Sequence, residues 1–78
     1  MSVIIKVITS GDPHTDQKWL VLEGSVEGFP QVTKRRAINT AALADHSLSL
    51  VSEKAKLIAD VEEYLARWIA VQDQLKEL

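Results

Sequence analysis

Glycine and proline are confined to the front of this chain and absent after Pro30, and that asymmetry predicts an α+β domain. Residues 1–38 hold short β-branched runs separated by turn residues. Residues 39–78 are rich in Ala, Leu, Glu and Lys and carry apolar residues at helical spacing. The expected architecture is a single domain with a small antiparallel sheet of two or three strands, followed by one long or two successive C-terminal helices.

The first strand is expected from about Ser2 to Thr9, where Val3, Ile5 and Val7 alternate with Ile4, Lys6 and Ile8. With both faces mostly apolar, it reads as a well-buried strand. Ser10 to Gln17 has the composition of a turn-rich connection, and Lys18 to Glu23 resumes an apolar run, so the two runs form a hairpin with a long loop. Gly24 and Gly28 bracket a second turn region, "GSVEG", which Phe29 and Pro30 extend. For Gln31 to Ile38 a strand is preferred to a helix. Lys34, Arg35 and Arg36 would otherwise occupy a first helical turn, where the helix dipole favours acidic side chains. Asn39 or Thr40 then caps the helical region, and Asp45 to Ser49, "DHSLS", is the place for a break, with Asp45 capping the junction and His46 on its surface.

Size and composition restrict what this fold can be. The chain has 78 residues, no cysteine and a formal charge of −2. Disulfides and thiolate zinc sites are therefore excluded, and stability has to come from helix packing or from association. The slightly acidic total argues against unspecific nucleic-acid affinity, which arises from Lys and Arg neutralising phosphates. The one early apolar run is too short for a signal sequence or membrane span, so a soluble cytoplasmic protein is expected.

The final helix carries the strongest pattern. In Leu50 to Leu78 three heptad rows hold thirteen positions, eleven of them apolar, with Gln72 and Lys54 the exceptions. Glu53, Asp60, Glu63, Arg67, Asp73 and Glu77 fall on the opposite face, with Glu63 and Arg67 in the favourable i,i+4 order. A helix of this length spans roughly 43 Å, whereas strands of six to eight residues span about 20–27 Å. The end bearing Leu65, Trp68, Ile69, Gln72 and Leu75 therefore extends past the sheet and is expected to self-associate as a homodimer. Gln72 takes the role of a register-setting polar residue in the seam.

Candidate chemistry is sparse. Asp12, His14 and Asp16 alternate, so an extended backbone would align a carboxylate–imidazole–carboxylate set. Asp12-Pro13 is equally a turn starter, and the loop is read as a turn or partner contact, with no metal and no cofactor. The glycines fit no phosphate-binding spacing, and no nucleophile elbow is present. Lys34, Arg35 and Arg36 form the one basic cluster, suited to an acidic protein surface. The expected function is a non-enzymatic protein-interaction module, a small inhibitor or adaptor of phage or mobile-element origin acting on a host or defence complex. The alternative is a dimeric nucleic-acid-binding regulator using the Lys34–Arg36 cluster.

Overall fold

A computed structural model describes residues 3–9 and 18–78. Strands β1 (Val3–Thr9), β2 (Trp19–Val26) and β3 (Phe29–Asn39) form an antiparallel sheet in the order β1-β2-β3; helices α1 (Thr40–Ala44) and α2 (Leu50–Lys76) follow. This is the expected α+β arrangement, with 31–38 in a strand and the helical region broken at 45–49. Among the described residues, no helix is long and apolar enough to cross a membrane.

The second turn is tighter than its composition suggests. Gly24, Ser25 and Val26 belong to β2, and the reversal is only Glu27 and Gly28, with Val26 paired to Phe29. Gly28 adopts φ +85, a conformation that L side chains avoid. Pro30 sits inside β3 rather than in the turn. The strand is an edge strand, and its register with β2 jumps between Thr33 and Phe29, so the missing amide costs no regular ladder bond.

Gly24 has a different task. On the helix-facing side of the central strand, a Cβ there would stand 2.7 Å from Val61 Cγ2 and 3.3 Å from Leu57 Cγ. The residue that reads as a turn glycine in sequence is the floor on which α2 rests. Leu22, Val26, Val32 and Ile38 from the sheet and Leu57 and Val61 from the helix make the core around it.

Strand alternation puts Lys34 and Arg36 on the same face as Val32 and Ile38, towards α2. Arg36 pairs with Glu53, and Lys34 lies over the Tyr64 ring. The helix therefore runs antiparallel to β3, towards the Glu27–Gly28 turn. It packs over β2 and β3 and leaves β1 as a poorly covered edge, so β1 is not the well-buried strand expected from its two apolar faces. Ile4, Val7 and Ile8 are exposed, Val7 at 61%. The axial extent is 54 Å against a cross-section of 20 × 17 Å, because α2 continues beyond the sheet.

The helix junction is built from local hydrogen bonds. Asn39 Oδ1 accepts from Ala41 N and Ala42 N, and both the amide and the hydroxyl of Thr40 donate to Lys18 O, tying α1 to the start of β2. Asp45 closes α1 instead of opening α2. Its carboxylate accepts from Ser47 N at 2.9 Å and Ser47 Oγ at 2.5 Å, which holds it below the usual carboxylate range. His46 is exposed with φ 65, and Ser49 is the cap of α2, its hydroxyl accepting from Ser52 N.

Candidate interaction surface on α2

The face that α2 buries runs along Glu53, Leu57 and Val61, then along Tyr64, Leu65 and Trp68, which pack against the core while half-buried. This line is rotated from the expected polar and apolar division at the start of the helix. Val51 is 80% exposed and Leu50 is exposed, whereas Glu53, placed by its heptad position on the polar face, is 4% exposed. The reason lies on the strand. Arg36 faces the helix, so a carboxylate at 53 allows its guanidinium to be covered as an ion pair. Arg36 Nε donates to Glu53 Oε2, and Lys56 Nζ approaches Glu53 Oε1 at 3.5 Å. The Arg36 hydrogen bond outweighs the cost of burial and holds the Glu53 carboxyl below its ordinary value.

Among the described residues, Trp68 is the last of α2 to pack against the core. Ile69, Val71, Leu75 and Leu78 are all exposed, Leu75 at 54%. Beside this overhang lies an open groove of about 610 Å³ lined by Lys34 of β3 and by Asp60, Tyr64, Arg67, Trp68 and Val71 of α2, among others. Its floor is aromatic and aliphatic, and its rim carries both signs of charge. Arg67 donates to Glu63 at 2.5 Å, the i,i+4 pair expected from the sequence.

Of the residues expected to self-associate, Leu65, Trp68 and Gln72 are half-buried, whereas Ile69 and Leu75 are exposed. Leu65 and Trp68 thus contribute to the home core as well as bordering the overhang. The basic cluster is split by strand alternation. Arg35 points to the open sheet face and pairs with Glu23 at 2.9 Å, while Lys34 and Arg36 face α2, so the three do not form one stripe. Asp12, His14 and Asp16 lie outside the described residues. Among the described residues no group of three or more His, Cys, Asp or Glu side chains is arranged to hold a metal ion.

One further surface was not anticipated. The sheet face away from α2 carries Trp19, 51% exposed, with Val21 and Ala37 on neighbouring positions and Ile4 on β1. Alternation places Trp19 opposite to the buried Leu22, a relation readable once the strand is known to begin at Trp19. No protein-family model, curated protein or solved structure matches the chain.

Proposed function

We propose that this chain is a non-enzymatic protein-interaction module, a small inhibitor or adaptor that docks through the distal half of α2. The observation that carries this reading is the row of exposed apolar side chains, Val71, Leu75 and Leu78, on a helix that leaves its own sheet after Trp68. Contiguous apolar surface of this kind is costly in water and marks an interface. Groove and overhang supply an aromatic anchor in Trp68, a mixed-charge rim and a preorganised backbone, the ingredients of a compact docking site. A cytoplasmic setting and an origin in a phage or mobile element, with a host or defence complex as the larger assembly, complete the proposal.

The test uses Val71→Glu/Leu75→Glu, two substitutions outside the home core. Tagged wild-type and variant proteins are compared by affinity capture from source cells and by mass in solution. Loss of a stoichiometric partner or of self-association in the variant is expected. Identical capture and identical mass for the two proteins reject the proposal.

A further inference from the structure

We infer that β1 is a separate docking site, open to strand addition by an extended segment of a protein partner; this goes beyond the α2 surface and does not rest on it. The two edges of the sheet differ. β3 carries Pro30, a register jump against β2 and the cations Lys34, Arg35 and Arg36, features that discourage another strand from pairing there. β1, with the sequence VIIKVIT, has no glycine or proline and a single charge, Lys6. Natural sheets cover or blunt such an edge, and among the described residues no strand lies outside this one.

What fits an edge is set by its backbone. Alternate residues of β1 aim N–H and C=O away from β2, and a row of such groups at strand spacing is matched by another extended backbone. Pairing with β2 is regular from Val3 to Val7 and shifts before Thr9. The regular edge is therefore five residues, about 17 Å.

Side chains specify the incoming strand. Val3, Ile5 and Val7 lie opposite Val26, Gly24 and Leu22 on the helix side of the sheet, and Val7 is 61% exposed. Ile4 and Lys6 lie on the open face, opposite Ser25 and Glu23, and both are exposed. Glu23 gives its carboxylate to Arg35 at 2.9 Å, and among the described residues Lys6 has no ion-pair partner. An antiparallel strand laid along Val7 to Val3 is complementary when it reads apolar, acidic, apolar, apolar, apolar. Its acid then meets Lys6, and its apolar side chains cover Val7 and Ile4 from the side.

The experiment titrates the isotope-labelled full chain with the peptide acetyl-Ser-Val-Glu-Val-Ile-Val-Ser-amide, which carries that pattern, and follows backbone amide shifts by NMR. Controls are the same peptide with Lys in place of Glu, and two peptides N-methylated on one or the other alternating set of amides. Saturable shifts centred on residues 3–7 are expected. One methylated peptide, blocked on the side that faces β1, should lose binding while the other keeps it. The Lys peptide should bind about two- to fivefold more weakly, and Lys6→Glu should reverse that order. Val71→Glu/Leu75→Glu should bind the peptide as wild type does, so this result and partner capture through α2 stand or fall separately. No saturable shift up to the peptide's solubility limit, equal binding by the two methylated peptides, or shifts centred on α2 overturns the inference. A chain found at twice its mass, with the peptide excluded from residues 3–7, overturns it as well and gives the edge to a second copy.

Discussion

Val61 rests directly on Gly24, and a single added carbon at Gly24 would stand 2.7 Å from Val61 Cγ2, closer than van der Waals contact permits. Val61 is β-branched and stiff, so it cannot swing aside as a longer side chain would. Gly24→Ala is expected to destabilise the fold by about 1–3 kcal/mol, with thermal unfolding lowered by roughly 4–8 °C per kcal/mol. Adding Val61→Ala should cost less than the two single changes combined, because the clash disappears. Additive losses in thermal or urea unfolding would show that the two residues are not in contact.

Gly28 is required for its backbone rather than for space, since nothing lies within 4 Å of where its Cβ would be. Its φ of +85 costs an L residue roughly 1–2 kcal/mol. Gly28→Val should therefore destabilise the hairpin, with Gly28→Asn the milder change. Equal melting temperatures for the two variants would count against this conformation.

The Arg36–Glu53 pair makes stability depend on acid. Glu53 has a folded pKa below its ordinary value of 4.5, so between the two values the unfolded chain binds more protons. Its contribution is fully present above about pH 4.5 and fades as the pH falls through the folded value. Glu53→Gln should be less stable at neutral pH, and the gap to wild type should narrow on acidification. Denaturant unfolding from pH 7 down to pH 3 measures the gap, and a constant difference would contradict the assignment.

Leu57 and Leu75 are the same residue type on the same helix with opposite structural roles. Leu57 is 1% exposed in the core, and Leu75 projects beyond the sheet. Leu57→Ala should cost about 2–5 kcal/mol, whereas Leu75→Ala should change the unfolding free energy of dilute protein by no more than about 0.5 kcal/mol. Comparable losses would mean that the distal helix is folded against its own domain.

The elements were legible in sequence where local chemistry decides them. Asn39 and Ser49 cap their helices, β-branched runs form the strands, and the length of the Leu50–Lys76 helix forces it past a short sheet. What escaped was set by register between distant segments. Gly24 in a strand and Gly28 in a turn look alike until Val61 is placed above one of them. Glu53 belongs to the polar face by heptad count, and only the orientation of Arg36 across the sheet explains its burial. The exposure of Val7 follows similarly from where the helix leans, over β2 and β3, which no feature of β1 itself announces.

Amide hydrogen exchange along α2 in dilute protein tests most directly whether the distal half is an uncovered interaction surface. Weak protection of residues 69–78 and strong protection of 57–61 are expected. Distal amides as slow as those of Leu57 and Val61 would show that this segment is buried in its own fold.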